Sequence, residues 1–318
     1  MKHIKPKISI IGSGNVGSTF AFALMISGLV REIAIIDNNK LKAEGECMDL
    51  NHGLSLAHPA KIYAGDYREC TGSDIVVITA GAKQKPGQSR IDLVQNNVNI
   101  LKEIIPKVVK YAKDAIIIVV TNPVDVLAYI TLKISGFAPN RVIGSGTVLD
   151  SSRFRYLISK HCNVDPRNVH AYIIGEHGDT ELAVWSNANI GGMKIQDYCP
   201  KCKNFSNCDR EKELHEIFKE VKNAAYKIID AKGATYYAVA LALVRIVEAI
   251  LRDENSVLPV STLINDYYGI EDVYLSLPSI VGRNGVNNYL DIILSKKEQS
   301  ELRYSAETLK GIIKNIKL

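Results

Sequence analysis

The stretch from Lys7 to Asp37, KISIIGSGNVGSTFAFALMISGLVREIAIID, decides the fold. It begins with the apolar run KISII, which is followed at once by a G-x-G-x-x-G loop at Gly12, Gly14 and Gly17. An apolar helical segment comes next, and a second apolar strand then ends at Asp37. This order is typical of a dinucleotide-binding unit, in which a strand, a glycine-rich loop and a helix are followed by a second strand that ends at an acidic residue. A glycine-rich turn in an α/β sheet of other purpose is the alternative interpretation.

Each element of this loop has a physical reason. Gly12 permits a tight turn, Gly14 lets a pyrophosphate approach the backbone, and Gly17 lets the helix pack on the strand. The helix N-terminus supplies N–H groups and the positive end of a dipole to phosphate. Asp37 can accept hydrogen bonds from both ribose hydroxyls, whereas its negative charge would repel a 2′-phosphate. The sequence therefore predicts NAD as the cofactor rather than NADP.

The pattern of apolar runs predicts the architecture. DIVVITAGA (74–82) and AIIIVVTNP (115–123) are continuous apolar runs that alternate with helical segments. Such runs suit strands covered on both faces, so we expect an α/β fold with a doubly wound parallel (Rossmann) sheet. The second half instead shows strands over 168–179 and 185–195, long helical segments over 210–231 and 233–253, a strand hairpin, and a C-terminal helix over 296–315. We therefore predict a nucleotide-binding domain over 1–148 and an α+β substrate domain over 149–318.

Composition excludes several classes of protein. The chain has 318 residues, of which 47% are hydrophobic and 23% charged, so it is globular rather than disordered. No apolar run reaches the ~18 residues of a membrane-spanning helix. The apolar stretch near the start is too short for a signal peptide, which predicts a cytoplasmic protein. Lys and Arg exceed Asp and Glu by 39 − 34 = 5 without clustering, so we expect no nucleic-acid partner.

Three of the six cysteines form a C-x2-C-x5-C cluster at Cys199, Cys202 and Cys208. A zinc or redox site is one interpretation, and a polar loop that carries thiols is the other. His215 is the only nearby candidate for a fourth ligand, and structural zinc sites usually close with four. We therefore predict no metal. The other three cysteines are scattered, as in a reduced cytosolic protein.

Polar and charged groups follow the predicted strands. The loop KQKPGQSR (83–90) comes after one buried strand, and Asn122 follows the next. Ligands of such sheets bind beyond the carboxyl ends of the strands. Further along the chain, His177 lies between polar residues and glycines in GEHGD. Histidine is the side chain best suited to exchange a proton near neutral pH, so His177 is a candidate acid/base.

Along essentially its whole length, the sequence resembles the L-lactate and malate dehydrogenase family, and most closely its bacterial lactate-forming members. Six motifs match in order and spacing: GSGNVG, QKPGQSR, TNPVD, GSGTVLDSSRFR, IIGEHGD and KGATYYA. The resemblance implies an oxidoreductase that uses NADH to reduce pyruvate to L-lactate in fermentation. It also implies a homotetramer.

The resemblance also assigns roles to residues. It implies that His177 protonates the ketone oxygen, that Asp150 is its carboxylate partner, and that Arg153 holds the substrate carboxylate in a bidentate fork. Arg90 would polarise the carbonyl after its loop closes and expels water. Other expected substrate contacts are Gln84, Asn122, Asp125 and Thr235. Other expected cofactor neighbours are Val16, Lys42, Tyr67, Gly81, Ala82, Val120, Asn122 and Ser145.

The choice of substrate depends on Gln84. Malate enzymes of the family have an arginine at this place, which pairs with the second carboxylate. The neutral amide of Gln84 would leave that carboxylate unpaired, so we expect pyruvate rather than oxaloacetate. The alternative is that Gln84 faces solvent while Lys83 or Lys85 supplies the charge. A non-enzymatic NAD-binding scaffold is a further alternative, but it would not need the complete catalytic set.

Arg155 and His170 are candidates for a second anion site. Arg153 and Arg155 lie two residues apart on a predicted helix, so they point about 200° apart and cannot share one pocket. In bacterial family members activated by fructose 1,6-bisphosphate, an arginine and a histidine at these places bind the effector between subunits. We therefore expect this allosteric site here. The alternative is a solvated arginine and a buried histidine.

Overall fold

The computed structural model describes residues 6–82, 90–198 and 210–317. Its strands are β1 (Lys7–Ile11), β2 (Glu32–Ile36), β3 (Lys61–Gly65), β4 (Ile75–Ile78), β5 (Ile116–Val119), β6 (Val142–Gly144), β7 (Val169–His170), β8 (Ile173–Ile174), β9 (Leu182–Ala183), β10 (Asn189–Ile190), β11 (Met193–Lys194), β12 (Ser256–Ile264), β13 (Val273–Gly282) and β14 (Gly285–Tyr289). Its α-helices are α1 (Asn15–Ser27), α2 (Lys40–His52), α3 (Arg90–Tyr111), α4 (Val124–Ser135), α5 (Val148–Cys162), α6 (Ile195–Tyr198), α7 (Arg210–Lys232), α8 (Tyr237–Leu251) and α9 (Lys296–Lys314).

A nine-stranded sheet organises the described chain, in the order β14-β13-β12-β6-β5-β4-β1-β2-β3. The six strands from β6 to β3 are parallel, and β1 lies between β2 and β4. The predicted doubly wound parallel sheet is therefore confirmed. The order reverses beside β1, so the glycine loop after β1 lies at the switch point where such sheets bind ligands.

The second half of the chain also contributes to this sheet. β12 pairs with β6 in antiparallel fashion, and β13 and β14 continue the sheet outward. The strand hairpin was expected from the sequence, but its addition to the edge of the first half's sheet was not. The division into domains at residue 148 stays a prediction.

Burial on both faces explains the continuous isoleucine and valine runs. On β1, Ile8 and Ile10 pack into one core cluster with helices α1, α2 and α8. Ile11 packs into a second cluster on the opposite face, with helices α3, α4 and α9. Since successive side chains of a strand point to opposite faces, both faces need apolar residues.

A third core cluster lies outside the large sheet. Phe154 and Ile158 of α5 pack there against Ile173 of β8 and Val221 of α7. Phe154 also meets Trp185 edge to face, with ring centroids 4.6 Å apart. This cluster fixes β8 against α5, and β8 leads directly into the histidine loop.

Some elements differ from the expectation. The segments 168–179 and 185–195 were expected to be strands, but each contains only two-residue strands. Gly191 and Gly192 both have positive φ and turn the chain between β10 and β11. The helix expected over 233–253 begins at Tyr237, because Gly233 takes a φ of 81° that a helix does not allow. Within the described residues, no helix is both long and apolar enough to cross a bilayer.

Candidate active site

The three glycines of the loop after β1 differ in what surrounds them. A Cβ at Gly12 would lie 2.7 Å from the Ala80 nitrogen, and a Cβ at Gly17 would lie 1.9 Å from the Gly12 oxygen. These two glycines are needed for close packing of the protein itself. A Cβ at Gly14 would meet no atom within 4 Å. The backbone at Gly14 therefore borders open space, which fits the approach of a pyrophosphate.

A cavity of about 320 Å³ opens beside this loop at the carboxyl edge of the sheet. The expected cofactor neighbours that line it are Gly12, Gly14, Asp37, Lys42, Tyr67, Gly81 and Ala82. The expected neighbours outside its lining are Val16, Gly17, Val120, Asn122 and Ser145. Lys107 of α3 also lines the cavity and lies 5.0 Å from the centre of the Tyr67 ring. Sequence reasoning missed Lys107, because a single lysine in a long helix carries no motif.

Asp37 is held at the end of β2 by hydrogen bonds. Its Oδ2 accepts the Ser13 N–H at 2.6 Å, and its Oδ1 accepts the Asn39 N–H at 2.8 Å. Burial raises the pKa of Asp37, but these bonds and the charge of Lys42 outweigh burial and leave the pKa below its ordinary value. The carboxylate is therefore negative at neutral pH, as discrimination against a 2′-phosphate requires.

Asn97 connects the two loops that follow β4 and β5. Its Oδ1 accepts the Ala82 N–H at 2.8 Å, and its Nδ2 donates to the Asn122 carbonyl at 2.9 Å. Asn97 is 2% exposed, so both bonds are shielded from water. Through this side chain, α3 fixes a wall of the nucleotide cavity relative to the start of α4.

His177, Asp150 and Arg153 form the charged centre of the site. Nδ1 of His177 lies 2.5 Å from Oδ2 of Asp150, and Nη1 of Arg153 donates to Oδ1 of Asp150 at 2.7 Å. Asp150 is buried, whereas the His177 side chain stays 24% exposed. The bond to Nδ1 leaves Nε2 as the ring nitrogen that can exchange a proton with a ligand.

The charge of His177 follows from its neighbours. Burial lowers its pKa, but the nearby carboxylates of Asp150 and Asp125 outweigh burial and raise the pKa to about 9. Burial raises the pKa of Asp150, yet the charges of His177 and Arg153 hold it below the ordinary value. At neutral pH the pair is therefore an imidazolium beside a carboxylate, which is the form that can donate a proton.

Asp125 holds the main chain of the histidine. Its Oδ2 accepts the His177 N–H at 2.8 Å, and its Oδ1 accepts the Ser261 hydroxyl at 2.6 Å. Asp125 is 1% exposed and lies in the first turn of α4, just after Asn122. The histidine loop therefore lies over the same sheet edge as the nucleotide cavity.

Two serines fix the hairpin that carries His177. Ser151 of α5 bonds through its hydroxyl to the Ile173 N–H at 2.9 Å, and Ser305 of α9 accepts the Glu176 N–H at 2.8 Å. Neither serine was expected from the sequence, because their partners are brought near only by the tertiary fold.

Some of the predicted site residues lie outside the part of the chain that the structure describes. Gln84, Lys83 and Lys85 lie outside the described residues, as do Cys199, Cys202 and Cys208. Helix α3 begins at Arg90, but the side chain of Arg90 is likewise outside them. Thr235 lies between α7 and α8 and is half-buried. In the described part of the chain, no group of three or more His, Cys, Asp and Glu side chains could hold a metal ion.

Arg155 and His170 lie near each other, away from the centre formed by Asp150. Nε of Arg155 donates to the Ala171 carbonyl at 2.9 Å, and its guanidinium lies 5.1 Å from the centre of the Tyr172 ring. His170, the residue before Ala171, is exposed on β7. The structure therefore places the partly buried guanidinium of Arg155 against the main chain next to His170, whose side chain is exposed.

A parallel α/β sheet with a nucleotide cavity at its switch point, and an imidazolium held beside it, defines a nucleotide-dependent dehydrogenase. Family comparison agrees. Residues 6–144 match the lactate/malate dehydrogenase NAD-binding domain, and residues 147–318 match the lactate/malate dehydrogenase alpha/beta C-terminal domain. The chain belongs to the lactate/malate dehydrogenase family, so the family, the enzyme class and the NAD cofactor predicted from the sequence are confirmed.

Relatives and solved structures agree over nearly the whole chain. L-lactate dehydrogenases of Acetivibrio thermocellus and Thermoanaerobacterium saccharolyticum are 57% and 58% identical over 98% of this chain, which covers 97% and 99% of those proteins. A lactate dehydrogenase from a Medee basin deep-sea metagenome library superposes with a TM-score of 0.94 at 44% identity, covering 98% of both chains. The minor L-lactate dehydrogenase of Enterococcus mundtii gives 0.94 at 42% identity, covering 99% of both.

Proposed function

We propose that this protein is an L-lactate dehydrogenase that reduces pyruvate to L-lactate with NADH. The observation that carries the proposal is the His177–Asp150 pair, with Arg153 on the other carboxylate oxygen, beside the nucleotide cavity. The relatives named above act on lactate by their descriptions.

Each residue contributes a separate physical step. The bound nicotinamide supplies or accepts the hydride. His177 donates its proton to the ketone oxygen, and Asp150 stabilises the imidazolium before that transfer. Arg153 binds the substrate carboxylate, and its bond to Asp150 fixes the orientation of the guanidinium. Asp125 contributes by holding the backbone of His177 rather than by facing open space. Thr235 and Asn122 complete the substrate pocket, and Arg90 polarises the carbonyl from the loop side.

Substrate choice is assigned to Gln84. A neutral amide offers no partner to the second carboxylate of oxaloacetate, so pyruvate is favoured. The test compares NADH oxidation with pyruvate and with oxaloacetate, in the parent and in Gln84→Arg. The parent should prefer pyruvate, and the variant should move the ratio of kcat/KM values toward oxaloacetate. Lys83→Gln and Lys85→Gln are the matched controls. If the ratio of kcat/KM values for pyruvate and oxaloacetate changed more in Lys83→Gln or Lys85→Gln than in Gln84→Arg, the discrimination would belong to that lysine.

We also propose activation by fructose 1,6-bisphosphate through Arg155 and His170. The bond from Arg155 to the carbonyl of Ala171, the residue after His170, supports a shared anion site, because charge-assisted bonds from an arginine suit a phosphate. If identical subunits meet at this surface by two-fold symmetry, their cations repel each other until a bisphosphate neutralises them. The effector would then favour the assembly that binds pyruvate better.

Pyruvate saturation curves with and without fructose 1,6-bisphosphate test this activation. In the parent, the effector should lower the half-saturating pyruvate concentration. Arg155→Gln should lose most of this effect. An unchanged half-saturation in the parent would end the proposal, and equal activation of both proteins would locate the effector elsewhere.

We further propose that the protein is a homotetramer. It would act in the cytoplasm, in fermentation at the end of glycolysis. Support for assembly comes from exposed apolar side chains on neighbouring helices. Phe22 and Ile26 of α1 are 49% and 53% exposed, and Tyr237 and Leu241 of α8 are 67% and 65% exposed. Helices α1 and α8 pack against each other, and these four exposed side chains are here termed the α1–α8 face. Exposed apolar side chains on neighbouring helices are typical of a subunit contact.

A further inference from the structure

A buried serine of the C-terminal helix joins the two ends of the loop that carries His177. Oγ of Ser305 accepts the Glu176 N–H at 2.8 Å and the Thr180 hydroxyl at 3.0 Å. Glu176 directly precedes His177, and Thr180 lies three residues after it. A serine oxygen has two lone pairs, so it can serve both donors at once. Ser305 therefore connects both ends of this loop, residues 176–180.

Further hydrogen bonds close the same loop from within. The Glu176 carboxylate accepts the Thr180 N–H at 3.1 Å and also bonds to the Thr180 hydroxyl. That hydroxyl has a single proton, which the carboxylate and Ser305 share. Glu176, Thr180 and Ser305 thus form one connected network, and members of such a network act on one another.

Helix α9 holds Ser305 in a fixed place. Its residues Leu302, Ala306 and Leu309 are at most 1% exposed and belong to the core cluster that includes α3 and α4. Ser305 itself is 0% exposed, so its bonds to the loop are shielded from water. A Cβ at Gly175 would lie 2.8 Å from Oγ of Ser305, which shows that the helix packs directly against the chain at the loop. The network therefore anchors the loop to the core.

The position of this loop determines where the proton donor lies. Nδ1 of His177 is 2.5 Å from Oδ2 of Asp150, which belongs to α5, whereas the histidine main chain belongs to the loop. A shift of the loop relative to α5 would separate the two side chains. Misplacement of a reacting group by about 1 Å can cost about 100-fold in rate, so small movements of the loop matter to catalysis.

We propose that Ser305 is a positioning residue for pyruvate reduction: by joining Glu176 to Thr180, its hydroxyl holds the loop so that His177 stays against Asp150. The proposal rests on the proposed function, in which His177 donates the proton. Ser305 acts through the main chain of the residue before the histidine, and Asp125 acts on the N–H of the histidine itself. The two residues therefore hold neighbouring peptide groups.

The first test compares the kinetics of pyruvate reduction in Ser305→Ala and in the parent. Alanine fits the space of serine but leaves the Glu176 N–H without its acceptor. We expect kcat to fall about tenfold, because the loop is placed less accurately. The KM for NADH should stay within about twofold, since none of the described residues 176–180 lines the nucleotide cavity.

A matched control comes from the same helix. Thr308→Ala removes a hydroxyl that bonds within α9, to the Tyr304 carbonyl, and it should leave kcat and the KM for NADH unchanged. A folded Ser305→Ala protein with the kcat of the parent would overturn the proposal.

The second test uses Thr180, whose hydroxyl also belongs to the network. Thr180→Val keeps the shape of threonine without the hydroxyl, so it should lower kcat as Ser305→Ala does. Thr180→Ser keeps the hydroxyl without the methyl group and should recover most of that loss. If valine and serine at position 180 were equally slow, the methyl group would matter rather than the hydroxyl, and the proposal would be wrong. The same pair decides the matter if Ser305→Ala does not fold.

The double variant Ser305→Ala/Thr180→Val tests whether the two hydroxyls act together. Because they share a hydrogen bond, the combined loss of kcat should be smaller than the product of the two separate losses. Losses that multiply would show that the hydroxyls act independently, which would contradict a serine that joins both ends of the loop.

The third test is an NMR measurement on the protein without cofactor or substrate. The Nδ1 proton of His177, which lies against Asp150, should exchange with water at least about tenfold faster in Ser305→Ala, because the loop opens more often. A purely structural role of Ser305 would lower Tm without changing this exchange, and that result would overturn the proposal. If the parent did not reduce pyruvate, the proposed function would be wrong, whereas the exchange rate would still decide whether Ser305 positions His177.

Discussion

His177 keeps its proton through the neutral pH range because Asp150 and Asp125 raise its pKa from 6.5 to about 9. Pyruvate reduction needs the imidazolium, so its rate should fall as pH rises through about 9. Lactate oxidation needs the neutral ring, so it should rise over the same range. The raised pKa also stabilises the fold fully below pH 6.5, and this contribution is lost as pH rises through about 9. Initial rates in both directions test the assignment, and a fall of pyruvate reduction already near pH 6.5 would contradict it.

Replacing His177 by asparagine should remove the proton donor while leaving NADH binding nearly intact. Groups that act as general acids contribute about 100–10,000-fold to turnover, so kcat with pyruvate should fall by at least about 100-fold. NADH affinity, measured by fluorescence titration, is the matched readout, because the His177 side chain is not part of the nucleotide cavity lining. A loss of turnover below about tenfold would show that another group supplies the proton.

Gly14 and Gly17 offer a matched pair of substitutions. Gly14→Ala adds a methyl group into open space, so the thermal stability of the protein should hardly change. The same methyl group would occupy the volume that a pyrophosphate needs, and we expect NADH affinity to fall at least about tenfold. Gly17→Ala would instead place Cβ 1.9 Å from the Gly12 oxygen, so it should lower Tm before any ligand is added. Unchanged NADH affinity in Gly14→Ala would place the phosphates elsewhere.

At the scale of elements, strands buried on both faces were the most predictable part. The apolar runs of β1, β2, β4 and β5 define their strands without help from distant contacts. The segments around β7 to β11 were less predictable, because glycine turns and neighbouring helices decide where those short strands end.

In the candidate site, too, some residues could be predicted from the sequence and others could not. His177, Asp150 and Arg153 lie in recognisable motifs, and the structure brings them together. Asn97 has no motif around it. Its role arises from two loops that are distant from it in the sequence, so only the tertiary structure shows it.

Asn97 is the element-scale case that can be tested directly. Asn97→Ala would remove the bridge between the loops after β4 and β5, leaving the Ala82 N–H and the Asn122 carbonyl without their partner. We expect a loss of about 2 kcal/mol in the free energy of unfolding and a higher KM for NADH. Asn99→Ala, at an exposed position on the same helix, is the control and should change neither quantity. Chemical denaturation and NADH saturation curves measure both. Equal stability of the two variants would show that the bridge is unimportant.

At the scale of the whole molecule, one sheet connects the two family domains. β12 to β14 come from the second half but extend the sheet of the first half beyond β6. The hairpin that carries His177 is also bonded to this sheet, since Gly175 and Ser276 exchange both backbone hydrogen bonds. The proton donor and the nucleotide loop are therefore positioned by one continuous hydrogen-bonded framework, and small shifts between the two halves are resisted.

The α1–α8 face provides the prediction that concerns assembly. Leu241 is 65% exposed in the single chain, and a subunit contact at this face would cover it. Leu241→Glu would then place a carboxylate without a partner inside the contact, at a cost of several kcal/mol. Because each 1.4 kcal/mol is a factor of ten, the dissociation constant between subunits should rise at least about 100-fold.

Tyr304→Glu on α9 introduces the same charge at a position that is 67% exposed and outside this face. Light scattering over a range of protein concentrations should show smaller particles for Leu241→Glu alone. If both variants kept the parent's mass at every concentration, the α1–α8 face would not be a subunit contact, and assembly would have to use another surface.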